Sequence, residues 1–105
     1  MTNDDLFTRA EQLRKKKAVD YNTSIKLVDY FPNGIEDVAY MLHVKSTRIR
    51  SLVHNARFGV NTNFEGLQDS LVDLVNYAKF ADDIIRGELE GQKSSDIFDL
   101  LGKNE

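Results

Sequence analysis

The stretch Thr62-Asn63-Phe64-Glu65-Gly66-Leu67-Gln68-Asp69-Ser70-Leu71-Val72-Asp73-Leu74-Val75-Asn76-Tyr77, continuing through Phe80 to Ile84-Ile85-Arg86, decides how the chain folds. At roughly 100° per residue, Leu67, Leu71, Leu74, Val75, Ala78 and Ile85 gather on one side of a helix. Glu65, Asp69 and Asp73 recur every fourth residue on another side, so three carboxylates stack on consecutive turns. Like charges at that spacing repel and weaken an isolated helix, so a metal ion, cationic side chains or solvent must offset them. Asn76, Tyr77, Phe80 and Ile84 continue the acidic side. A solvated face does not run into such residues, and the helix is therefore expected to be covered on more than one side.

Working outward, Thr62 to Glu65 has the form of a capping box, which gives Glu65 a purely structural alternative. Gly87 is placed to end the helix. The preceding helix is expected over residues 35–54, with Ile35, Val38, Leu42, Lys45, Ile49 and Leu52 as its inward stripe. A lysine in that seam either snorkels to water or meets an anion. Arg48 lies at the edge of the same stripe, and residues 53–63 read as a loop. Pro32-Asn33-Gly34 is a turn, preceded by a short helix carrying Ile25, Leu27, Val28, Tyr30 and Phe31. The first helix starts at Thr2 or Asn3 and buries Leu6, Phe7, Ala10, Leu13 and Ala18. Its basic run Arg14-Lys15-Lys16-Lys17 reads as partners of the helix dipole, with phosphate contact as the alternative.

The fold class is therefore all-α: a compact helical bundle of about four helices over residues 1–87. Residues 88–105 form a polar linker and a short C-terminal helical turn. That turn, with Ile97, Phe98, Leu100 and Leu101, is too short to stand alone and must dock on its own core, another subunit or a partner.

With 105 residues, the chain has material for one core. The net charge of −3 argues against duplex DNA or an anionic membrane as the main partner. There is no cysteine, which excludes disulfides and thiolate metal sites. No apolar run is long enough to span a membrane, and residues 1–5 lack an apolar signal core, so the expected location is the cytoplasm. Phosphate-loop, nucleophile-elbow and zinc-ligand motifs are missing. His43 and His54 are too far apart along one helix to share a metal. What remains is acids on one helix and Lys45 with Arg48 on another. Glu65, Asp69 and Asp73 could hold Mg²⁺ as metal ligands and catalytic groups. Alternatively, Asp69 and Asp73 pair with Lys45 and Arg48, and no cofactor is required.

Three segments occur in a telling order: Asp20-Tyr21-Asn22-Thr23-Ser24, Lys45-Ser46-Thr47-Arg48-Ile49, and Glu65, Asp69 and Asp73 followed by Asn76-Tyr77-Ala78. The set resembles the nucleotide modification associated domain 1 family, small all-helical proteins common in bacteriophages, over about residues 13–85. The resemblance implies a nucleotide-related role and a relation to helical MazG-type nucleoside triphosphate pyrophosphohydrolases. It points to Asp20, Tyr21, Lys45, Arg48, Glu65, Asp69, Asp73 and Tyr77. Val44 and Asn22 depart from the family pattern, and Lys45 and Arg48 stand where MazG-type enzymes carry two acids. The expectation is a phage protein in the host cytoplasm that binds a nucleotide or nucleotide-derived ligand, for example to sequester a defence signal. Lys45 and Arg48 would meet phosphate, with Asp69 and Asp73 beside them and Tyr21 and Tyr77 stacking on a base. The alternatives are an Mg-dependent nucleotide pyrophosphohydrolase and a non-enzymatic helical interaction protein. A homo-oligomer would suit any of them.

Overall fold

The computed structural model describes residues 4–20, 26–59 and 64–93. It is all helical: α1 (Leu6–Asp20), a 3-10 turn (Leu27–Tyr30), α2 (Ile35–Arg57) and α3 (Phe64–Arg86), with no strand among the described residues. None of the described helices is long and apolar enough to cross a membrane.

Against the expected count of about four helices, the described residues hold three α-helices and one 3-10 turn. The reason is local. Pro32 disfavours helical backbone at Phe31, which sits at φ −129° and ψ 67°. Asp29 accepts the Lys26 N–H at 2.9 Å. The turn closes through three-residue bonds, Asp29 N–H to Lys26 O at 3.0 Å and Phe31 N–H to Val28 O at 3.1 Å. Too few residues remain for an α-helix to propagate.

The other boundaries follow from caps. Asp5 caps α1, its carboxylate accepting the Thr8 N–H at 2.8 Å, while Thr2 and Asn3, the expected caps, lie outside the described residues. That backbone bond, with help from the Thr8 side chain, holds the Asp5 carboxyl below its ordinary value. Asp37 secures the turn into α2 by accepting both the Asn33 N–H at 2.8 Å and its side-chain Nδ2 at 3.2 Å. Helix α2 runs past His54 to Arg57, into what the sequence presents as loop, and stops where Gly59 takes φ 75°. Gly87 ends α3 as expected. Its N–H donates to Ile84 O at 3.0 Å while Glu88 N–H donates to Asp83 O at 2.8 Å, the paired bonds of a Schellman motif.

Helix α3 is central and packs along α2 and against α1. Lys45 meets Asp73 midway, while Val38 and Ile84 share a core, so α2 and α3 run antiparallel. The buried residues of α3 are Ser70, Val72, Asn76, Asp83 and Ile84. Two sides are thus covered, as the mixed acidic and aromatic face predicts. Ala78 and Ile85 point outward instead of joining the expected stripe, as do Phe7 and Ala18 of α1. In α2 the stripe holds: Val38 is fully buried and Ile35, Leu42, Lys45, Ile49 and Leu52 are half-buried.

The core joins Phe31, Val38, Ile84 and Leu89, flanked by Leu27, Val28, Ile35, Tyr77, Phe80 and Ala81. Each large apolar side chain buried there contributes about 1.5–3 kcal/mol. Leu89 comes from residues 88–93, which fold back over the 3-10 turn. Val28 N–H donates to Glu90 O at 3.1 Å, and Leu27 N–H to the Glu90 carboxylate at 3.2 Å. Gln92 donates to Ile84 O at 3.0 Å, taking up a carbonyl at the end of α3.

This return depends on Gly91, at φ 85°, where a Cβ would lie 2.6 Å from Lys26 Cβ and 2.9 Å from Val28 Cγ1. Gly91→Ala should destabilise the fold by roughly 1–3 kcal/mol in urea unfolding, combining backbone strain with steric clash. Gly59→Ala, also at positive φ but with open space around it, should cost less. Equal losses at the two sites would show that the close approach at Gly91 contributes nothing.

Candidate functional site

Lys45 neither snorkels to water nor stands alone. Its Nζ lies 2.9 Å from Asp73 Oδ2, with the two side chains 24% and 29% exposed. Moving three residues on along α2 means three back along α3, so Arg48 lies at about the level of Ser70. Arg48, Glu65 and Asp69 are nevertheless exposed and form no ion pair among the described residues. Only one cation and one acid of the anticipated constellation meet directly. Among the described residues no group of three or more His, Cys, Asp or Glu could hold a metal ion, the Glu65, Asp69 and Asp73 row included. Tyr21 and the side chain of Asp20 lie outside the described part, as do Thr62 and the turn at residues 96–101.

A cavity of about 810 Å³ lies nearby, between α1, the 3-10 turn, the first turns of α2 and the middle of α3. Of the residues singled out by sequence, it takes in Asp73 and Tyr77. Its aromatic floor is Phe31, Tyr77 and Phe80. Tyr77 meets Phe31 at 6.3 Å and 79°, and Phe80 at 6.1 Å and 84°, both edge-to-face. Phe31 and Phe80 are tilted at 6.0 Å. Tyr30 and Tyr40, both exposed, stand at the rim.

The remaining lining mixes apolar side chains with charges that are unevenly placed. Helix α1 contributes Arg14, Lys15 and Lys17 with Leu13 and Ala18, and no acid. The lining carboxylates come from elsewhere and each is already engaged. Asp73 pairs with Lys45. Asp83, nearly buried, pairs with Lys79 at 2.6 Å and Arg86 at 2.8 Å. Asp37 accepts from Asn33 and Glu90 from Leu27. Lys15 reaches Glu11 at 3.3 Å in an exposed pair, worth at most about 1 kcal/mol. Arg14 and Lys17 have no carboxylate partner among the described residues. Arg14 Nη1 donates instead to Asn76 Oδ1 at 2.6 Å, and Asn76 is only 6% exposed.

Three residues of the basic run of α1, Arg14, Lys15 and Lys17, which the sequence presents as dipole partners, therefore line the cavity. A signal for it exists. Ala10 is fully buried, and Arg14 and Lys17 follow it at four and seven residues, on the same side of the helix. A cation in an apolar stripe marks Arg14 by the same logic that marks Lys45.

A double-mutant cycle on Lys45→Met and Asp73→Ala should give a coupling of about 1 kcal/mol, between the values typical of exposed and buried pairs. Strictly additive losses would remove the bridge from the account of how α2 holds α3. Set beside known proteins, the chain matches no family model, no curated protein and no solved structure.

Proposed function

We propose that the cavity binds a nucleotide or nucleotide-derived anion. The observation that carries this reading is the sharing of one cavity by an aromatic floor and an α1 wall whose charged side chains are all cationic. The volume of about 810 Å³ lies in the range of small-molecule sites. Aromatic side chains stack on any base, at about 1–3 kcal/mol each, and lysine or arginine supplies the attraction for phosphate. The resemblance to the nucleotide modification associated domain 1 family supports the same ligand class. With it come a phage origin, the host cytoplasm as location and sequestration of a nucleotide signal as one physiological form.

Binding is favoured over Mg-dependent hydrolysis because the acids on the cavity wall are engaged by cations, an amide or backbone N–H groups. The phosphate contacts assigned to Lys45 and Arg48 pass, in this reading, to Arg14 and Lys17. A second reading, a self-associating or partner-binding helical protein, draws support from Phe7, Phe58 and Phe64, which are 71%, 65% and 66% exposed.

A thermal-shift panel of mono-, di- and cyclic nucleotides tests the first reading. At least one should raise the melting temperature, since a ligand at a hundred times its Kd adds about 2.7 kcal/mol to the folded state. Lys17→Glu, an exposed change, should leave the unliganded melting temperature alone and weaken that ligand about tenfold. No shift with any nucleotide would remove the reading in favour of the interaction protein.

A further inference from the structure

We infer that Arg14 and Asn76 together form the phosphoryl anchor of the cavity. This rests on the nucleotide reading above and deepens it, by committing the ligand's phosphate to one named pair of side chains.

A guanidinium only donates hydrogen bonds, so the Asn76 atom that meets Arg14 Nη1 at 2.6 Å must be the carbonyl oxygen. This fixes the amide's orientation, because a flipped side chain would set two donors against each other. The Nδ2 donors consequently point away from Arg14. They meet no acceptor among the described residues. Yet no buried side-chain nitrogen or oxygen among those residues lacks a partner. Nδ2 is therefore not sealed in the core, and the void that Asn76 borders is the cavity.

Arg14 is equally under-used. One of its five N–H groups is spent on Asn76, and among the described residues no carboxylate pairs with it. The pair thus presents chiefly donors, carries a positive charge and is held by a short internal bond on two packed helices. A group suited to it must be anionic and rich in acceptors. A phosphoryl group has that character, and its oxygens can take a guanidinium fork and an amide N–H₂ together. The donor edge of a base does not. The other cations at this wall, Lys15 and Lys17, are exposed and mobile-headed, suited to attracting the anion more than to fixing it.

The pairing also supplies a variant that separates binding from folding. Asn76→Asp keeps an acceptor for Arg14 and makes the contact an ion pair, so the α1–α3 junction retains its bond. It removes the free N–H₂ donors and cancels the positive charge offered to the ligand. Calorimetric titration should compare a nucleoside with its 5′-monophosphate, using the base that gives the largest thermal shift. In the wild-type protein the monophosphate should bind about tenfold or more tightly than the nucleoside, the scale of one charge-assisted hydrogen bond. In Asn76→Asp that advantage should vanish while the nucleoside still binds. Arg14→Lys, which keeps the charge but not the fork, should lose most of the same advantage. If the monophosphate keeps its advantage in Asn76→Asp, the anchor is refuted and the cavity reading survives. If neither ligand binds the wild-type protein, the cavity reading itself fails and the anchor falls with it.

Discussion

Phe31 packs on Tyr77 and Phe80, and the shape of the molecule depends on that contact. An antiparallel helix pair buries one stripe of each helix and leaves the rest of α3 to water. The rings of Tyr77 and Phe80 lie off the stripe expected to be buried, and exposing them would forfeit about 1.5–3 kcal/mol for each large apolar side chain. A single aromatic residue, delivered by a four-residue 3-10 turn, covers them. The turn is too short to hold itself. It is held by Asp29 from within and by Glu90 and Leu89 from the far end of the chain. The close approach at Gly91 makes that second support possible. Core and cavity are consequently one construction, because the rings that close the core also make the cavity floor.

The same economy shows in the polar groups. Helix α3 carries Asp73, Asn76 and Asp83 along its covered side, and each meets a cation, Lys45 from α2, Arg14 from α1 and Lys79 with Arg86 from α3 itself. The charges of Asp73 and Lys45 cancel, and Asp83 sits between two cations. Asn76 is neutral, so the Arg14 charge is left over. In a chain with net charge −3, that local excess stands out, and it lies against the aromatic floor.

Much of the fold was legible in the sequence because its causes are local. The turn at Pro32-Asn33-Gly34, the Gly87 stop and the α2 stripe depend on neighbours within a few residues. The second covered side of α3 was also readable, since Asn76, Tyr77, Phe80 and Ile84 share a helical face with the acids. The 3-10 turn was not, because apolar content predicts burial without specifying helix type. Nor was the role of Leu89, a lone apolar residue in a polar stretch whose burial comes from a glycine-dependent return. For the site, the pairing of Lys45 with Asp73 is one of two alternatives the residue pattern leaves open, the other being Lys45 on phosphate. Arg48, Asp69 and Glu65 share the same spacing, but exposure is set by what the neighbouring helix covers, which spacing does not encode. The α1 wall was read as helix-end charge because Arg14 was viewed within its run and not against buried Ala10.

The most direct test of the account is where a ligand perturbs the protein. Titration of isotope-labelled protein with the best-binding nucleotide, followed by two-dimensional NMR, reads every backbone amide and the Asn76 side-chain N–H₂ together. The account predicts that the largest shifts fall at Arg14 to Lys17, Tyr30 and Phe31, and Asn76 to Phe80, with the Asn76 side-chain amide among them. Shifts centred on Arg48 and Asp69, with Arg14 and Asn76 unmoved, would contradict it.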